Sequence, residues 1–123
     1  MEHKELLDYC LSFPKAYSDY PFGEEPVCLK VNGKIFAEIY FTENNDKLTL
    51  KSEAMMSDFY RRQYPSTVVR GYHCPASHQP YWNTVSLNKD VPDAEVFRMI
   101  GDSYRLVVKT FSKRIQAEIE QTE

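Results

Sequence analysis

Val27–Phe41 reads VCLKVNGKIFAEIYF, two alternating apolar runs joined at Asn32-Gly33. A two-residue type I′ turn favours Asn-Gly because both of its central residues take positive φ. The stretch therefore predicts a β-hairpin, and with it an antiparallel sheet. Alternation puts Val27, Leu29, Val31, Ile35, Ala37, Ile39 and Phe41 on one face, and Cys28, Lys30, Lys34, Phe36, Glu38 and Tyr40 on the other. The aliphatic face is the natural one to carry helices, since covering it removes the most apolar area from water.

Upstream, Glu2 to about Phe13 sets Leu6, Cys10 and Phe13 on one helical stripe beside Leu7 and Leu11, and Pro14 ends the pattern. The segment KAYSDYPFGEEP reads as a loop. Downstream, TENNDK is a polar turn leading into LTLK, with Leu48 and Leu50 inward. Ser52 is placed to cap a helix running to about Tyr64, which Pro65 closes. After a loop over 66–81, WNTVSL alternates with Val85 and Leu87 inward and Trp82, Thr84 and Ser86 outward. A last helix opens at Pro92 with Asp93 and Glu95 in its first turn, and turns Val96, Ile100, Ser103, Val107 and Phe111 inward. Together these predict one domain over residues 1–123 of the α/β class, specifically a two-layer α+β fold. An antiparallel sheet of about four to five strands is packed on one face by N-terminal, central and C-terminal helices.

With 123 residues, 42% of them hydrophobic, the chain can bury a core without disulfides or metals. No apolar run approaches the roughly 20 residues of a membrane span, and MEHKELLDYC lacks the layout of a signal peptide, so a cytosolic protein without membrane contact is expected. Cys10, Cys28 and Cys74 are odd in number and form no CxxC pair, which points to free thiols in a reducing compartment. The net charge of −3 is unevenly spread. Residues 1–25 hold six acids against two lysines, whereas residues 26–117 hold 13 Lys or Arg against nine acids. The middle of the chain is thus the part suited to an anionic partner.

Chemistry is concentrated in Tyr72–Leu87, YHCPASHQPYWNTVSL. His73, Cys74 and His78 are competent metal ligands, but adjacent His-Cys is unlike the paired knuckles of zinc sites, and His3 is the only other histidine. Cys74, His78 and Asn83 include the side-chain types of a thiol nucleophile, base and orienter, yet nothing marks Cys74 as activated. Walker, GxGxxG, GxSxG and HExxH signatures are absent. The acids Glu2, Glu5, Asp8, Glu24 and Glu25 are too loosely spaced for a cation site and read as solubilising surface. No enzyme, cofactor or metal is expected.

Lys51–Leu87, KSEAMMSDFYRRQYPSTVVRGYHCPASHQPYWNTVSL, followed by VPDAEVFRMIGDSYRLVVK, resembles the MmcQ/YjbR family of small bacterial proteins. The front half agrees, with FP after the first helix, DYPFG, and the hairpin KVNGKIFA. GYH and WNTV at this spacing are the most specific elements, and the similarity covers nearly the whole chain. The resemblance implies a CyaY-like fold with a double-wing arrangement of hairpins and a DNA-binding role. It carries no catalytic residue across. Family members place a basic residue shortly before the tryptophan, whereas CPASHQPYW has none, and His78 could replace it only when protonated.

The expected function is accordingly a non-enzymatic DNA-binding module. Lys30, Lys51, Arg61, Arg62 and Arg70 are its candidate phosphate contacts, Phe36, Tyr40 and Trp82 its ring contacts, and His73, His78 and Asn83 complete the candidate surface. Arg105, Lys109 and Lys113 at i, i+4 and i+8 form a further basic stripe. The alternative is a protein-interaction or homodimerisation module using the same sheet face, which suits the acidic pI of about 5.6.

Overall fold

The computed structural model describes residues 1–41, 46–71 and 74–121. Most of the TENNDK turn, together with Tyr72, His73 and Glu123, lies outside the described residues. Six strands, β1 (Tyr17–Asp19), β2 (Val27–Val31), β3 (Lys34–Tyr40), β4 (Lys47–Lys51), β5 (Val68–Arg70) and β6 (Trp82–Ser86), form one antiparallel sheet in the order β1-β2-β3-β4-β6-β5. Among the described residues four α-helices accompany it: α1 (His3–Leu11), α2 (Ala54–Gln63), α3 (Asp93–Val108) and α4 (Lys113–Glu120). The fold is the expected two-layer α+β arrangement with more strands than expected. β1 and β5 fall inside predicted loops, because a three-residue edge strand is too short to show a period.

The hairpin forms as predicted, with Asn32 at φ 48° and Gly33 at φ 84°. Its faces do not follow simple alternation. Leu29 pairs with Ala37 but Lys30 pairs with Ile35, so Phe36 is an extra residue in β3, a β-bulge. The bulge turns Phe36 into the helix layer, where it is fully buried against Phe13 and Tyr104 with ring centroids 6.2 and 5.2 Å away. Ile35 goes to the opposite face. The expected exposure of Phe36 is therefore wrong, and the exchange with Ile35 follows from one unpaired residue.

Ser103 of α3 pins this irregularity. Its hydroxyl donates to the Phe36 carbonyl at 2.6 Å and accepts from the Lys51 amide at 2.9 Å, joining β3 to β4 across the helix. Val96, Ile100 and Val107, on the same stripe of α3, are buried over β2, β3 and β4. Tyr60 and Ser57 turn α2 towards β5 and β6.

Two other expectations change. Ser52 does not cap α2, because its hydroxyl is engaged with that of Ser57 and the N-cap position falls to Glu53. The closing helix breaks after Val108, and Ser112 starts α4 by accepting from the Ile115 amide at 3.2 Å. Lys113 therefore belongs to a separate helix and does not extend a stripe with Arg105 and Lys109.

Candidate binding groove

The helix-free face of the sheet is built in cross-strand rows. Nearest the Asn32-Gly33 turn, strand register sets Tyr17 beside Lys30, Lys30 beside Ile35, and Lys51 beside Trp82. Ile35, Lys51 and Trp82 share one hollow, which completes the row across β1, β2, β3, β4 and β6. The next row is continuous in register: Asp19, Cys28, Glu38, Thr49, Thr84 and Val69. A third row holds Tyr40, Lys47 and Ser86. Cations thus lead, and the carboxylates Asp19 and Glu38 stand one row behind.

Two loops rise above this floor. Phe22, Glu25 and Pro26 form one wall, and Cys74, Pro75, His78 and Tyr81 the other, enclosing a groove of about 980 Å³. Beyond Ile35, Lys51 and Trp82 the groove opens into a second hollow of about 320 Å³ that adds Lys30, Gly33 and Lys34 and reaches Val107 and Thr110 at the end of α3. An aromatic trough therefore runs into a lysine cluster.

The wall carrying His78 is held by local packing. Gly71 approaches it so closely that a Cβ there would lie 2.8 Å from the Cys74 sulfur and 3.0 Å from the Trp82 Cβ, so only glycine fits. The Gly71 amide donates to the Trp82 carbonyl at 2.9 Å. Gln79 donates to the Cys74 carbonyl at 3.2 Å and accepts from Arg70 at 3.4 Å.

Charges at the leading row differ in commitment. Lys30 meets Asp19 at 2.6 Å, which raises the lysine above its ordinary value and holds the Asp19 carboxyl below the usual carboxylate range. Lys34 donates to the Thr110 hydroxyl at 3.1 Å and stands 5.3 Å over the Phe111 ring. Among the described residues, neither Lys34 nor Lys51 forms an ion pair. Farther in, burial and then the Glu38 charge raise the Tyr40 phenol, whose hydroxyl donates to Glu38 at 3.2 Å. The same two causes push Cys28 up to about 11 and raise Cys74. These groups stay neutral at pH 7, and Glu25 and Glu38 are the carboxylates that line the groove.

The structure brings Lys30, Lys51, His78 and Trp82 together, with Tyr40 deeper in the same trough. It separates Arg61, Arg62, Arg70 and Asn83 from them, and His73 lies outside the described residues. Arg61 donates to the Asn83 side chain, and Asn83 donates to the Ser57 carbonyl at 3.1 Å, so both tie α2 to β6 in the helix layer. Arg62 pairs with Asp58 at 2.8 Å on the outer surface of α2. Arg70 lies at the far edge, on β5. Elsewhere Lys4, Arg98, Arg105 and Arg114 stand beside carboxylates three or four residues away in their own helices. Lys34, Glu38 and Tyr81 were missing from the predicted set. Alternation had put Glu38 on the outward face, where it stands, and Tyr81 adjoins Trp82, so those signals were present but unweighted. The same alternation misplaced Lys34, which pairs with buried Val31 and reaches Thr110 on the helix-bearing side because the bulge shifts the face of every residue between it and the turn.

A family model described as YjbR matches residues 11–106. The uncharacterized protein YbdF of Escherichia coli is 30% identical over 117 residues, covering 95% of this chain and 93% of that protein. The uncharacterized protein YjbR of Escherichia coli is 29% identical over 108 residues, 88% of each. Among solved structures, Deinococcus radiodurans protein DR2400, with family-model domain DUF419, superposes at a TM-score of 0.87 and 26% identity, covering 95% of this chain and 86% of that one. A protein from Pseudomonas syringae shares the fold at a TM-score of 0.71 and 21% identity, over 86% of this chain and 98% of that one.

Proposed function

This chain belongs to the YjbR family, and we propose that it is a non-enzymatic DNA-binding module that takes a single strand along the helix-free face of its sheet. The supporting observation is the end of the groove, where Lys30 and Lys51 of the leading row adjoin Trp82 and Lys34 borders the same hollow from the helix-bearing side. Phosphates meet the lysines and unstacked bases meet the rings, the combination by which single strands are held without catalysis. Duplex bases are already stacked on one another and cannot reach a ring on the groove floor, so a single strand is the better occupant.

Trp82 is the only tryptophan, which makes its emission a direct report on the groove. Titration with a short DNA oligonucleotide is expected to quench that emission, with affinity falling as salt rises. Single strands contribute a log-log slope near −0.7 per neutralised phosphate, so three lysines give roughly −2. Unchanged emission at low salt, or an affinity indifferent to salt, overturns the proposal.

A second reading draws on Phe22 and Tyr81, which stand on opposite walls and are 66% and 47% exposed. In it the same groove holds a protein segment or a second copy of the chain. A dimer mass by light scattering, with the Trp82 emission altered by dilution, supports that occupant.

A further inference from the structure

The helix layer holds a cavity of about 240 Å³ between α2, α3 and the ends of β4 and β6. Leu50 and Asn83 lie on its floor, each next in its strand to a groove residue, Lys51 or Trp82, and so on the opposite face of the sheet. Met56 and Tyr60 of α2 and Met99 and Leu106 of α3 form the walls. The cavity is thus separate from the groove.

Polar groups that line the interior are already engaged. Tyr60 donates to Glu95 at 2.8 Å, Asn83 joins Arg61 to the Ser57 carbonyl, and the Ser52 hydroxyl is bonded to that of Ser57. Among the described residues no buried side-chain nitrogen or oxygen lacks a partner. Water finds few bonds in such a space, whereas an apolar body fits it. An apolar cavity of about 150 Å³ takes benzene, so one of 240 Å³ takes roughly ten non-hydrogen atoms. The two methionines let the walls adjust to an unbranched chain.

Charge is confined to the rim, where Lys51, Arg105 and Lys109 stand against Glu53 and Asp102. Asp102 is occupied by Arg105 at 2.9 Å, and Lys109 forms no ion pair among the described residues. Arg105 and Lys109 are one turn apart on α3, so both flank the same opening. Cations therefore outnumber acids at the mouth of an apolar space. We infer that the cavity binds a small amphipathic monocarboxylate, a medium-chain fatty acid, with its tail between α2 and α3 and its carboxylate at Lys109 beside Arg105. This ligand is independent of the single-strand reading and lies on the other side of the sheet.

Met56 and Met99 line the cavity, whereas Met55, on the same helix as Met56, is 83% exposed and does not. Methionine-methyl NMR therefore reads the site with a control built in. Octanoate is expected to shift the Met56 and Met99 methyls, to leave Met55 in place, and to bind roughly fivefold more tightly than octanol or octylamine, the scale of an exposed charge contact. Hexanoate, which leaves two methylenes fewer to bury, is expected to bind roughly tenfold more weakly than octanoate. Lys109→Gln, at the exposed end of α3, is expected to lower octanoate affinity roughly threefold and to leave octanol unchanged. Still methyls at Met56 and Met99, a Met55 shift equal to theirs, or octanol or octylamine binding as tightly as octanoate overturns the inference. Octanoate affinity indifferent to both Lys109→Gln and Arg105→Gln overturns it as well.

Discussion

Two basic regions look alike along the chain and differ in space. Around the hairpin turn, Lys30, Lys34 and Lys51 gather beside Trp82 at the mouth of a groove. Around α2, Arg61, Arg62 and Arg70 point to three separate tasks: a bond to Asn83, an exposed pair with Asp58 and a brace on Gln79. The difference teaches that a cation's function is set by the competitors within reach. Partners within the chain occupy each of the arginines, whereas two of the three lysines have no carboxylate partner among the described residues.

The comparison can be broken hardest at the bulge, because the bulge decides what the groove floor is. Phe36→Ala removes a fully buried ring and is expected to cost about 3–5 kcal/mol, measured by urea unfolding. A loss of less than about 1 kcal/mol would mean that Phe36 is not in the helix layer and that the two faces are misassigned.

Next comes the contrast between Asn83 and Lys51. Asn83→Ala leaves Arg61 and the Ser57 carbonyl without their partner and is expected to cost about 1–3 kcal/mol with oligonucleotide affinity unchanged. Lys51→Ala is expected to do the reverse, leaving thermal stability nearly intact while reducing the salt slope by about 0.7. If both variants lose affinity equally, the two regions form one surface and the distinction fails.

Smaller still is Arg62→Ala. An exposed i, i+4 pair contributes about 0–1 kcal/mol, so neither melting nor DNA affinity should move appreciably.

Acid sharpens the picture at the leading row. Lys30 holds Asp19 below the usual carboxylate range, so the pair's stabilisation is present above the unfolded carboxylate value and lost as pH falls through the folded one. On the alkaline side the raised Lys30 keeps its contribution below the ordinary lysine value and loses it as pH rises through the folded one. Asp19→Asn is expected to flatten a small acid-side slope in melting temperature.

Much of this was legible locally. Asn-Gly between alternating runs carries its own turn geometry, Pro14 and Pro65 end α1 and α2, and the outward set Lys30, Glu38, Tyr40, Lys51, Trp82 and Thr84 lines or underlies the groove. Phe36 was misread because alternation assumes an unbroken ladder, and a bulge leaves no mark in composition. Asn83 and Arg61 were misread because polar residues near a tryptophan look like a site until their partners 22 and 26 positions away in sequence are known.

The chain by itself determined the hairpin, the antiparallel sheet, the helix-bearing face and the family resemblance, since turn propensity and hydrophobic period act between residues close in sequence. Tertiary structure alone decided that Ile35 rather than Phe36 floors the groove, that three lysines converge while three arginines disperse, and that Glu38 stands one row behind the cations. Those outcomes depend on register between strands and on which polar groups meet across the fold, and such contacts are selected only when the whole core is packed.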